Sequence, residues 1–276
     1  MTFNFISFAQ LHKDIREFCV KLPDFDAIIG IPRSGTFIAN LIALQKNTRF
    51  GLLYERQFII LQGGLRDSSK DIKRVLVFDD SVSTGTSITK VKETLETVNG
   101  GSLFYKDMRI EYGCLYIDED AKNYVDYYLR AIPNPRMFEW NFMNHGLLEK
   151  ACMDIDGVLC NDYAGGTDKE KEEETHVQNA ICAVKPKYRI HSIVSGRIQK
   201  FSDATFRWLL KNEIPCDNLY LRPDRSESAE DFKARIYKDS PCIIFIESSE
   251  YQAKIIAEKT SKPVLCVDTM TVYGNS

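Results

Sequence analysis

The sequence predicts an α/β chain of two domains, each a mainly parallel sheet flanked by helices, and three observations carry that expectation. Short continuous apolar runs at residues 26–31, 75–78, 193–194 and 243–246 meet turn residues or acids, the pattern of strands covered on both faces. Stretches of helical period alternate with these runs, as βα units require. At 276 residues the chain is long for one domain and sufficient for two, each able to bury its own core. The domains are expected at 1–146 and 147–276.

Bulk properties exclude several classes. A net charge of -3, with bases interspersed among acids, leaves no field favouring nucleic acid. The eight cysteines are scattered without a C-x-x-C pair, and Cys114, Cys242 and Cys266 lie inside apolar runs, the usage of reduced and buried thiols. No stretch approaches the roughly 18 apolar residues of a membrane span. Residues 1–20 carry charges through their apolar pattern, unlike a signal peptide, so a cytoplasmic protein is expected.

Ser7 is placed to cap a first helix in which Leu11, Ile15, Phe18 and Leu22 recur at helical spacing until Pro23. Residues 26–31 form the first strand. Pro32, Arg33, Ser34, Gly35 and Thr36 then turn into an amphipathic helix through about Gln45, so that Arg33, Ser34 and Gly35 stand at a strand's end and a helix's start, where anions bind. Residues 54–74 become polar and read either as a long loop, with Arg56, Arg66 and Lys70 as candidate cationic contacts, or as a solvated hairpin with surface charges.

The next segment organises the first half. Val75, Leu76, Val77 and Phe78 form a buried strand leading to Asp79 and Asp80, then to Ser83, Thr84, Gly85, Thr86 and Ser87 before a helix near Ile88. The small-residue loop supplies N–H groups and hydroxyls for a phosphate. Two adjacent carboxylates beside it repel an anion unless they receive hydroxyls or a metal, and a phosphorylated sugar satisfies both demands. Further strands follow at residues 112–117 and 124–129, and Pro133 and Pro135 break the pattern. Phe138 and Trp140 near the boundary are candidates for packing or for acceptor contact.

In the second half, Ala151, Cys152 and Met153 lead into Asp154 and Asp156, spaced by one residue, followed by Gly157, Val158 and Leu159. A strand at residues 193–194 ends in Ser195, Gly196 and Arg197. Lys233, with Lys200 as the weaker candidate, offers a cation, and residues 243–246 end in Glu247 with Glu250 close behind. Residues 160–187 are too short for a large cap and read as a loop or short helix, with the charged run 168–174 as a solvated face.

The 75–88 segment resembles the PRPP (phosphoribosyl pyrophosphate) motif of type I phosphoribosyltransferases. That resemblance implies a type I fold, with Asp79 and Asp80 on the ribose hydroxyls, residues 83–87 on the 5-phosphate and the Arg33–Ser34–Gly35 loop on pyrophosphate. The segment from Asp154 is similar to motif I of the haloacid dehalogenase (HAD) superfamily, and the later pieces follow in that superfamily's order. It implies a HAD/Rossmann-like fold with a minimal cap, Asp154 as nucleophile, Asp156 as acid and base, Ser195, Gly196 and Lys233 on the phosphoryl group, and Mg²⁺ held by Asp154, the Asp156 carbonyl and Glu247. Glu247 stands where Asp is usual, so Glu247 and Glu250 both remain open as the metal ligand.

Together the resemblances imply a bifunctional enzyme that transfers 5-phosphoribosyl from PRPP and then removes the phosphate. A nucleotide-salvage enzyme fused to a phosphatase destroys its own product, whereas a route to unphosphorylated ribofuranose needs both steps. The expected acceptor is therefore a glycan hydroxyl in polysaccharide biosynthesis, lipid-linked glycans included. A nucleobase acceptor with a nucleotidase or inactive HAD half, and a PRPP-binding regulator, are the alternatives.

Overall fold

A computed structural model of the chain describes residues 3–54, 57–61, 71–99, 108–163 and 170–274. The expected loop contacts Arg56, Arg66 and Lys70 fall outside the described residues. Two units emerge, Phe8–Arg136 and Met1–Ser7 with Met137–Ser276.

The chain opens on a short strand, β1 (Asn4–Ile6), and α1 (Phe8–Lys21), which buries Leu11, Ile15 and Phe18 as the helical spacing requires. Next come β2 (Ala27–Gly30), α2 (Ser34–Lys46), β3 (Arg49–Tyr54) and β4 (Gln57–Leu61). Of the two readings of this stretch, residues 57–61 follow the hairpin, since they alternate burial and pair antiparallel with β3. Then follow β5 (Arg74–Val82), α3 (Thr86–Asn99), β6 (Arg109–Ile117) and β7 (Tyr127–Ala131). The six strands order as β4-β3-β2-β5-β6-β7, parallel except for β4. From β2 the chain moves to β3 on one side and later returns to β5 on the other. This switch point is where ligands enter parallel sheets.

The second unit begins with β8 (Arg136–Phe138), paired with β1. It continues through β9 (Ala151–Met153), α4 (Glu170–Asn179), β10 (Ile190–Ile198), α5 (Ser202–Lys211), β11 (Cys216–Arg222) and α6 (Ala229–Asp239). It ends with β12 (Ile244–Glu247), α7 (Glu250–Thr260), β13 (Val264–Cys266) and β14 (Thr271–Tyr273). The sheet order is β11-β10-β9-β12-β13-β14, parallel except for β14, with its switch between β9 and β12. Both sheets are thus mainly parallel and flanked by helices. Among the described residues no helix is long and apolar enough to cross a membrane, and all eight cysteines are free.

One glycine sets how closely β2's exit loop approaches β5. A Cβ on Gly35 would stand 2.7 Å from the Phe78 carbonyl oxygen and 2.9 Å from Asp79 Cα and Oδ1. Those neighbours are mostly backbone and cannot yield cheaply. Gly35→Ala is therefore expected to destabilise the first unit by about 2 kcal/mol through overpacking, read by chemical denaturation. An unchanged midpoint would mean that the loops are not in contact.

Candidate active sites

In the first unit, β5 runs further than the apolar pattern suggested, so Asp79 and Asp80 belong to the strand itself and are 9% and 6% exposed. Asp79 Oδ1 accepts the Asp80 N–H at 2.9 Å. Burial first, and the adjacent Asp80 second, push the Asp79 carboxyl well above the usual carboxylate range.

The loop beyond them surrounds a cavity of about 200 Å³ lined by Asp79, Ser81 and residues 82–88. Gly85 has φ +72°, which favours glycine, and the Tyr124 ring lies so close that a Cβ would meet it at 2.5 Å. Helix α3 starts at Thr86, two residues before the expected start, and aims its N-terminus at the cavity. Behind the loop, Ser83 Oγ donates to Asp118, which also accepts from Asn134 Nδ2 at 3.0 Å and from the buried Arg136 Nη1 at 2.7 Å. Arg136 Nη2 in turn donates to the Val82 carbonyl at 3.2 Å. Neither Asp118 nor Arg136 was singled out from sequence, since their role depends on strand neighbours. At the neighbouring strand end, Arg33 is exposed, the Pro32–Arg33 peptide is cis, and Ser34 and Gly35 open α2. The structure thus sets the Arg33–Ser34–Gly35 turn beside Asp79.

In the second unit, Lys233 from α6 is wholly buried and donates to Asp154 Oδ2 at 2.5 Å, Glu247 Oε2 at 2.7 Å and Gln252 Oε1 at 2.8 Å. Lys200 is exposed, so Lys233 is the cation at the centre. Of the two acids left open, Glu247 is buried in the site, whereas Glu250 is exposed and pairs with Lys254 and Tyr273. Burial lowers the Lys233 pKa, but Asp154 and Glu247 more than offset it, so the ammonium stays charged. Two carboxylates share one cation, and burial together with Asp154 pushes Glu247 up to about 7.

Asp156 lies in the same cavity, of about 290 Å³, also lined by Asp154, Gly196, Arg197, His176 and Glu247. Arg197 Nε and Nη2 donate to its two oxygens at 2.8 and 2.6 Å, and His176 Nε2 lies 3.0 Å away. Burial raises the Asp156 carboxyl, but Arg197 and His176 outweigh burial and hold it well below the carboxylate range. Its main-chain oxygen accepts from Ser248 Oγ at 3.2 Å.

Two expectations need correction here. Ser195 lies inside β10 rather than at its end, fully buried, and its Oγ accepts from the Arg197 N–H at 3.4 Å; Gly196 and Arg197, beyond a register shift, face the cavity. In the charged run, Glu172 and Glu174 are exposed, but Glu173 is buried and bonded to Arg225, because α4 covers the cavity instead of standing in solvent. His176, Arg197 and Gln252 were missed; Arg197 adjoined a recognised motif, and the helical offset from Glu173 to His176 was the available signal. Phe138 and Trp140 stack with centroids 4.8 Å apart.

The chain is similar to solved phosphoribosyltransferase structures over about half its length. These include the Helicobacter pylori xanthine-guanine-hypoxanthine enzyme (20% identity, 50% of this chain and 92% of that chain, TM-score 0.38). They also include a Pyrococcus horikoshii purine phosphoribosyltransferase (22% identity, 51% and 94%, TM-score 0.37) and an Aeropyrum pernix orotate phosphoribosyltransferase (18% identity, 45% and 71%, TM-score 0.32). No family model and no curated protein matches the sequence.

The Glu247 shift has a pH signature. In the cation-free protein its stabilising contribution is fully present below the ordinary value of 4.5 and lost as pH rises through about 7. Glu247→Gln is expected to flatten that part of the melting-temperature profile relative to wild type. Parallel profiles for the two proteins would refute the assignment.

Proposed function

We propose that the chain is a bifunctional enzyme whose first half transfers 5-phosphoribosyl from PRPP to an acceptor with release of pyrophosphate, and whose second half hydrolyses the 5-phosphate. The observation that carries this reading is the pairing, on one chain, of an acid pair beside a phosphate-sized loop cavity with a carboxylate, Asp154, held against a buried lysine.

In the first half, residues 83–87 hold the 5-phosphate through N–H groups and hydroxyls, with Asp118 fixing the Ser83 hydroxyl. Asp79 and Asp80 accept the ribose hydroxyls. Their negative charge also favours the oxocarbenium-like cation that develops at the anomeric carbon as its bond to pyrophosphate breaks. The Arg33–Ser34–Gly35 turn binds the leaving pyrophosphate, whose charge Mg²⁺ bound with PRPP would offset. Attack from the opposite side inverts the α-configured carbon, leaving a β-ribosyl product.

In the second half, Asp154 attacks phosphorus and forms an aspartyl phosphate. Lys233, Gly196 and the neighbouring N–H groups bind phosphoryl oxygens. Asp156, held ionised by Arg197, is poised to take a proton from the water that cleaves the intermediate; its donation to the leaving oxygen first requires a proton, and His176 is the adjacent group able to pass one. The buried donor set carries two carboxylates against one ammonium, which suits a divalent cation. Mg²⁺ held by Asp154, the Asp156 carbonyl and Glu247 would supply the charge compensation that lets a carboxylate approach a phosphate ester.

The paired activities favour a glycan hydroxyl as acceptor, because only a pathway wanting bare ribofuranose gains from both steps. Mass spectrometry with PRPP, Mg²⁺ and candidate acceptors tests this. A glycan should gain a ribosyl mass with wild type and a phosphoribosyl mass with Asp154→Asn, whose phosphatase turnover should fall by roughly 10³-fold or more. Asp79→Asn with Asp80→Asn should stop pyrophosphate release and spare phosphatase activity. Turnover of a free nucleobase with glycans unmodified would replace the acceptor, and an intact protein that never releases pyrophosphate would remove the transferase.

A further inference from the structure

The turn after β9 and helix α4 bring together a carboxylate, a thiol and an imidazole that the proposed reaction does not use as a set. Asp156 Oδ1 lies 3.0 Å from His176 Nε2 and 3.4 Å from Cys160 Sγ, and the three donor atoms all lie within 4.8 Å of one another. Ligands at about 2.0–2.3 Å around a tetrahedral zinc ion stand about 3.3–3.7 Å apart, so the set is within about an ångström of that geometry. Cys160 is 2% exposed, and its position follows from the tight turn in which the Gly157 N–H donates to the Cys160 carbonyl at 3.0 Å. Two of the donors therefore come from one short turn, and α4 adds the third.

A cation already occupies this place. Arg197 Nη2 donates to Asp156 Oδ1 at 2.6 Å and to Cys160 Sγ at 3.6 Å, bridging oxygen and sulfur with positive charge. Its Nε holds the other carboxylate oxygen at 2.8 Å, a contact that can persist if Nη2 moves off. Asp156 and His176 also line the cavity, which leaves a fourth position open to water.

We propose that Asp156, Cys160 and His176 form a Zn²⁺ site in which the metal replaces Arg197 Nη2 on Asp156 Oδ1. A thiol and an imidazole beside a single carboxylate select zinc over magnesium, which prefers oxygen ligands. On binding, the Cys160 S–H bond breaks, its proton leaves to solvent and the sulfur lone pair bonds the metal. Resting on the phosphatase reading above, occupancy withdraws Asp156 from proton transfer, so zinc inhibits the second step while the first continues.

Cobalt titration of the full, chelator-treated chain reads the site directly. One equivalent of Co²⁺ should give a thiolate-to-cobalt charge-transfer band with the intense visible bands of tetrahedral coordination, and Zn²⁺ should abolish both. Cys160→Ser should lose the charge-transfer band, and His176→Gln should weaken it, each in protein whose circular dichroism matches wild type. Cys242→Ser should keep it, although Cys242 Sγ lies 3.3 Å from His191 Nδ1 and forms the competing thiol–imidazole pair. No band, or a band lost in Cys242→Ser and kept in Cys160→Ser, overturns the site. In phosphatase assays Cys160→Ser should turn over as wild type without zinc and resist inhibition by it; equal inhibition of both overturns the regulatory claim. A chain with no phosphatase activity at all defeats the reaction assignment, and the cobalt spectrum then still decides the metal site.

Discussion

Parallel pairing of strands distant in sequence is the constraint on which both sites depend. Gly30 of β2 pairs with Phe78 of β5, and Met153 of β9 with Ile246 of β12. The residues that follow those pairs, the Arg33 turn with Asp79 in one unit and Asp154 with Glu247 in the other, must therefore emerge side by side at one sheet edge. Asp79, Asp154 and Glu247 are buried there, which gives their charges their strength. Without the register, each acid is an ordinary surface carboxylate.

The two units then use buried charge in opposite ways. In the first, Asp79 and Asp80 are adjacent and buried, and burial with the neighbouring acid raises the Asp79 carboxyl. In the second, the protein supplies its own cations: Lys233 between Asp154 and Glu247, and Arg197 on Asp156. Removing one partner from such a buried cluster leaves an uncompensated charge, which costs about 3–5 kcal/mol. The second site is consequently preformed.

Local pattern revealed most of the architecture. Continuous apolar runs marked the central strands, and helical spacing placed α1 and α2, because burial on both faces or on one stripe leaves a direct imprint on residue order. The β3–β4 hairpin was only one of two readings of residues 54–74, because the polar residues after Leu61 outweighed the short apolar run Phe58–Leu61 that β4 uses. The acid pair, the small-residue loop and Asp154 were legible because each sits at the end of a continuous apolar run, whereas Lys233 came only from the order of the pieces in the HAD resemblance. Asp118, Arg136, His176 and Gln252 were not, since each acts through a partner far along the chain. Ser195 was placed at a strand end because the HAD resemblance implies a small hydroxyl residue there; β10 instead continues past it with a register shift.

On the proposed reading, joining the two chemistries also settles the direction of the first. Phosphoribosyl transfer is reversible wherever the product can return to the loop at residues 83–87, and that loop recognises the product by the same 5-phosphate that it recognises in PRPP. Hydrolysis at Asp154 removes the one group the loop grips. The ribosyl product then has neither an anchor in the first site nor a route back to PRPP. A phosphatase whose own cations are already in place needs no signal beyond the arriving phosphate, so the preformed site acts as the drain and the ligand-dependent site as the gate. Loss of the 5-phosphate, rather than any contact between the sites, thus sets the direction of the pair of reactions.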